Sequence, residues 1–123
     1  MKGKRVLITG LHPAVVDYKK WPGLTAEKLE GAINGEQAAL REQGYRPDVC
    51  LFDMKQPAES VLQKKLTEGP FDCVMIGAGV RTDKDHFFMF EKLVNVVHQH
   101  APTAKICFNT NPNDTAAALQ RWV

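Results

Sequence analysis

Cys73-Val74-Met75-Ile76-Gly77-Ala78-Gly79-Val80-Arg81-Thr82 is the stretch that decides the fold. Its first four residues form an unbroken apolar run, without the polar alternation of a half-exposed strand. They read as a short strand covered on both faces. Two glycines follow at once, and then a segment from about Asp83 to His100 with apolar residues at helical spacing. Strand, glycine turn and helix in that order make half of a parallel crossover unit.

Three more apolar runs lie outward from it: Val6-Leu7-Ile8, Val49-Cys50-Leu51-Phe52 and Ile106-Cys107-Phe108. Each begins after a polar or turn-rich lead, and helical segments separate them. The first helix is expected from Thr25, a good N-cap, to about Gln43. Gly44 is its stop, and Leu29, Ala32, Ile33, Ala39 and Leu40 form its stripe. The second is expected from about Pro57 to Thr67, with Ala58, Val61, Leu62 and Leu66 on one face. A fourth starts near Asn113 or Asp114 and carries Ala117, Leu119 and Trp122. The alternation βαβαβαβα predicts a three-layer α/β domain with a four-stranded parallel sheet. Right-handed crossovers make the strand order 2-1-3-4 the simplest. The 123 residues suit one domain, spanning 1–123.

Charge and cysteine usage narrow the function classes. Sixteen basic residues are dispersed among fourteen acidic ones, for a net charge of +2. Only Met1 to Arg5 is locally basic, so the stripe that a phosphate backbone needs is missing and nucleic acid is not an expected partner. Cys50, Cys73 and Cys107 are far apart and each falls in a strand. This argues against a disulfide framework and against zinc, which takes ligands two to four residues apart, so no metal is expected. Buried free thiols fit a reducing compartment. The apolar core near the start, three residues, is too short for a signal peptide, and no stretch approaches a membrane span. A cytoplasmic protein with no membrane partner is expected.

In an open parallel sheet ligands bind beyond the carboxyl ends of the strands, where the strand order reverses. Order 2-1-3-4 puts that crevice between the first and third strands. The residues delivered there are Thr9, Gly10 and His12, then Gly77, Gly79, Arg81 and Thr82, with Asn109 and Asn111 from the fourth strand. Glycine amides at a helix start, with Arg81 as a charged fork, suit a small anionic ligand. The competing reading is a tight turn that needs glycine only for its backbone angles. His12 is the candidate acid or base, competing with a plain exposed loop histidine. Asn109 and Asn111 would orient a ligand, or serve turn and cap chemistry. Leu11 to Leu24 is longer than the usual strand-to-helix loop, and reads either as a lid or as a surface flap.

Familiar cofactor and catalytic motifs are absent. Gly10-Leu11-His12-Pro13 blocks a dinucleotide fingerprint with a proline. There is no P-loop and no Gly-x-Ser-x-Gly, since Ser60 is the only serine. Cys73 lies too far from Arg81, and too deep in its strand, for tyrosine-phosphatase chemistry. The cofactor is therefore unknown.

With these residues placed, the chain resembles the flavodoxin-like group, and more loosely Rossmann-like domains, in topology. Response-regulator receivers carry acidic residues and a phospho-accepting Asp where this chain has Thr9-Gly10 and Gly77. Flavodoxins hold the flavin phosphate in a hydroxyl-rich loop that Leu11-His12-Pro13-Ala14 does not match. Val6 to Gly10 is similar to the opening of pyroglutamyl peptidases, but their catalytic cysteine region has no counterpart. Ile76 to Thr82 together with Asn109-Thr110-Asn111-Pro112 resembles a group of small bacterial proteins. That resemblance implies a bacterial source and carries no activity.

Two functional readings compete. One is a ligand-binding or enzymatic site at the rim. The other is a non-catalytic regulatory or scaffolding domain that self-associates through its third helix. There, Phe87, Phe90, Val94 and Val97 are expected to face the sheet, while Met89, Leu93, Val96 and Phe88 extend the apolar arc toward a homodimer partner. The rival to dimerisation is that the last helix and Trp122 cover the second row.

Overall fold

A computed structural model describes residues 3–123. The strands are β1 (Arg5–Leu11), β2 (Arg46–Phe52), β3 (Cys73–Ile76) and β4 (Lys105–Phe108). The helices are α1 (Ala26–Glu42), α2 (Ala58–Leu66), α3 (Ala78–Arg81), α4 (Phe87–His100) and α5 (Thr115–Gln120). All strand pairs are parallel, in the order β2-β1-β3-β4. Ile8 pairs with both Val49 and Met75, and Met75 with Cys107. The expected α/β fold, its four-stranded parallel sheet and its strand order are all present.

The continuous apolar runs are explained by two cores, one on each face of the sheet. Leu7, Cys50, Phe52, Val74 and Ile76 point to the layer of α2 and α4, where Leu62, Leu66, Leu93 and Val97 meet them. Val6, Ile8, Cys73, Met75 and Cys107 point the other way, against Leu40 of α1 and Ala118 and Leu119 of α5. Successive strand residues therefore serve opposite layers.

Local signals set the helix limits. Thr25 Oγ1 accepts the Lys28 amide at 3.1 Å and opens α1. Gly44, at φ 91°, closes it, and Tyr45 N donates to Leu40 O while the two side chains share the second core. Arg46 N donates to Lys4 O, so Pro47, next along the edge strand β2, turns its nitrogen away from the sheet.

The segment from Asp83 to His100 departs from the single helix expected. A separate turn of helix, α3, follows Gly77, and a 3-10 turn at Lys84–His86 precedes α4. Asp83 breaks the helix because its carboxylate accepts the Asp85 amide at 2.9 Å. The packing of α4 also differs from expectation. Leu93 and Val97 are its fully buried residues, whereas Phe87, expected to face the sheet, is 53% exposed. Phe87 lies about 100° round the helix from the midpoint of Leu93 and Val97, and Phe88 lies almost opposite it. The buried face thus runs between the two expected rows. The last helix packs on the other face of the sheet, beside α1, so it cannot cover α4, and Trp122 stays 54% exposed.

Candidate functional site

A cleft of about 80 Å³ opens at the carboxyl ends of β1 and β3, where the strand order reverses. Its floor is the strand ends, Ile8 to Leu11, Met75 and Gly77 to Gly79. One wall is α1, through Leu29, Ile33 and Glu36. Asn109, Pro112 and Thr115 form the side toward α5, and Val16, Trp21 and Leu24 of the long loop close the top. Roughly 10–15 Å³ on this measure holds one water, so the cleft suits a ligand of about six heavy atoms rather than a nucleotide.

Of the residues expected at the rim, Thr9, Gly10, Gly77, Gly79 and Asn109 do line this cleft. Their polar groups are largely committed within the protein. Thr9 Oγ1 donates to Met75 O at 2.9 Å. Asn109 is buried, accepts the Ala78 amide at 2.8 Å and donates to Thr115 Oγ1 at 3.0 Å. Gly77 N donates to Thr9 O, and a Cβ on Gly77 would sit 3.1 Å from that oxygen. Glycine is present because the two backbones approach closely.

The other four lie outside the cleft. His12 is exposed, and its Nδ1 accepts the Ala14 amide at 3.0 Å, which makes it the cap of a 3-10 turn at Pro13–Val15. Arg81 donates from Nη2 to Asn109 O at 3.1 Å, and its guanidinium lies 5.9 Å from the Phe108 ring centre. Thr82 Oγ1 donates to Ala78 O, closing α3. Asn111 accepts the Asn113 amide and sends its own amide to Asp114, shaping the β4–α5 turn. The amides of Val80, Arg81 and Thr82 are taken by Gly77 and Ala78 carbonyls and that of Ala78 by Asn109, which leaves the Gly79 amide as the turn's one unengaged donor among them.

The long loop is folded over the cleft by a charged fastening. Lys20 Nζ reaches both Asp83 oxygens at 3.0 Å and Asp85 at 2.6 Å. The Asp85 amide and the Lys20 ammonium hold the Asp83 carboxyl below the usual carboxylate range. The two carboxylates, Asp85 foremost, raise the Lys20 ammonium in turn. Tyr18 Oη donates to Pro13 O at 2.6 Å and stiffens the same loop.

Glu36 is the functional candidate that motif reading misses. Among the described residues it is the only charged one lining the cleft, and one oxygen accepts the Ala116 amide at 2.9 Å. The signal was in the spacing: Leu29, Ile33, Glu36 and Leu40 fall on one helical stripe, so a carboxylate stands where an apolar residue belongs. Among the described residues, no three His, Cys, Asp or Glu side chains converge as a metal centre requires. No described helix is long and apolar enough to cross a membrane. No protein-family profile matches the chain, and no curated protein matches it.

Proposed function

We propose that this chain is a small-molecule-binding domain whose site is the cleft at the carboxyl ends of β1 and β3. The observation that carries this reading is the coincidence of a concave, mostly apolar lining with the switch point of the sheet. The anionic ligand expected from the glycine turn draws less support from the lining. Arg81 lies outside the cleft with Nη2 given to Asn109 O and Nε buried without a partner, the amides of Val80 to Thr82 are taken within the turn, and among the described residues the one charge lining the cleft is negative. With His12 outside the cleft, binding is better supported than catalysis. Buried Cys50, Cys73 and Cys107 fit a reducing, cytoplasmic setting. Kinship with flavodoxin-like domains and a bacterial source rest on the sequence resemblance and, for the former, on the matching strand order.

A thermal-shift survey of compact amines, alcohols and acids tests the proposal. A ligand at a hundred times its Kd stabilises by about 2.7 kcal/mol, which for a chain this size is a Tm rise of roughly 10 °C. Hits should move the amide resonances of Gly10, Gly79 and Trp21. Hits that all map to α4, or none at all, would overturn it.

A second reading, self-association through α4, draws on one observation. Phe87 and Phe88 form an edge-to-face pair with ring centres 5.5 Å apart, 53% and 72% exposed, on a face that no other described element covers.

A further inference from the structure

The cleft is apolar on nearly every side, yet α1 places Glu36 at its wall. A carboxylate costs free energy beside apolar walls unless something compensates its charge. Part of that compensation is visible: one oxygen accepts the Ala116 amide in the first turn of α5. The other oxygen has no hydrogen-bond partner among the described residues, and Glu36 joins none of their ion pairs. Among the described residues, no Lys, Arg or His lines the cleft. Trp21 also lines the cleft and brings an aromatic surface to it.

From this juxtaposition we infer that the cleft selects a compact primary ammonium ion, with Glu36 as its counter-charge and an apolar body of about five carbons filling the space between Leu29, Ile33 and Leu24. The inference rests on the small-molecule reading above and names its ligand class. An ammonium group has three donors and no acceptor, so it complements a carboxylate oxygen that lacks a partner. The apolar lining beside the half-buried carboxylate strengthens such a pair relative to open water. The Ala116 hydrogen bond fixes the carboxylate beforehand, so binding does not have to order it.

The test uses three probes of six heavy atoms: cyclopentylamine, cyclopentanol and butyrate, titrated into the full chain by NMR. Cyclopentylamine should bind at least tenfold more tightly than cyclopentanol, and butyrate should not bind. Glu36→Gln keeps an acceptor for the Ala116 amide, and should bring the amine down to the affinity of the alcohol without changing the alcohol. Equal binding of amine and alcohol, or a preference that survives in Glu36→Gln, overturns the ammonium assignment and leaves the cleft as a binding site. Tighter binding of butyrate overturns it in favour of an anion. If no probe moves Gly10, Gly79 or Trp21, the binding-site reading falls and the ammonium assignment with it.

Discussion

Asn109 Oδ1 accepts the Ala78 amide at 2.8 Å, tying the residue after β4 to the first turn after β3. The same side chain donates to Thr115 Oγ1 at 3.0 Å, which adds the start of α5. One buried amide therefore joins three segments on the cleft's flank, with both ends satisfied.

Asn109→Ala should destabilise the fold by about 1–3 kcal/mol, because it leaves the buried Ala78 amide without a partner. Thr115→Val, which removes only the weaker arm, should cost about 1 kcal/mol. Urea denaturation measures both. Equal costs would show that the Ala78 bond carries no special weight.

Gly77 and Gly79 should behave in opposite ways. A Cβ on Gly77 would meet the Thr9 carbonyl at 3.1 Å, inside a central strand pair that cannot yield, so Gly77→Ala should destabilise by about 1–3 kcal/mol. A Cβ on Gly79 would touch only the flexible end of Leu11 at 3.8 Å, and Gly79→Ala within α3 should be neutral or stabilise by up to about 1 kcal/mol. Comparison of the two melting curves decides it.

The fastening of the long loop should loosen in acid. The Asp85 amide and Lys20 lower the Asp83 pKa on folding. Its stabilising contribution is therefore full above the ordinary carboxylate value of about 3.9 and is lost as pH falls through the folded value. Lys20→Met should raise the Asp83 pKa part of the way back, since the Asp85 amide remains. Carbon-detected titration of the carboxyl reads this directly. Faster amide exchange at Trp21, in the variant and at high salt, is the companion signature.

None of the thiols should react in the native state. Burial pushes the Cys50 thiol up to about 11. The Cys73 sulfur 3.6 Å away, together with burial, raises that of Cys107, while the same contact lowers the Cys73 thiol, which complete burial keeps from any reagent. Labelling with a thiol-specific disulfide reagent should then follow global unfolding, accelerating with urea in step with the fall in stability. Rapid labelling of one thiol without denaturant would reveal local opening at that strand.

Sedimentation at micromolar concentration tests the α4 reading. Self-association should disappear in Phe88→Glu, which removes the contact with the Phe87 ring from an exposed position and should lower the melting temperature only slightly. A wild-type monomer of 13.7 kDa would end that reading.

The sheet was legible because its information is local. Four apolar runs, Thr25 as a cap and Gly44 as a stop each act within a few residues of where they stand, and alternation then restricts the topology. The rim was legible only as a place. Thr9, Gly10, Gly77, Gly79 and Asn109 arrive at the cleft because strand ends must, whereas the side chains of Arg81 and His12 turn to partners that no spacing announces. Glu36 escapes motif reading because glutamate is an ordinary helix residue. Only its phase against Leu29, Ile33 and Leu40 marks it, and that phase acquires meaning once the helix is known to face the sheet. The orientation of α4 is not legible in the sequence for a similar reason: two adjacent apolar rows leave the buried direction open until α2 and the sheet select it.

Pro47 in β2 bears on how this protein meets its neighbours. The outer edge of β2 is where another chain's strand would attach, and each attachment needs free N–H donors. Pro47 has none to offer, and Val49, the next residue facing outward, gives its amide to the Asp48 carboxylate at 2.9 Å. At the opposite border β4 is only four residues long and begins on an exposed lysine, Lys105. Both borders thus resist extension into a larger sheet or a fibril. Growth by strand addition is discouraged even at high concentration, and any assembly this chain forms must be made through its helical layers.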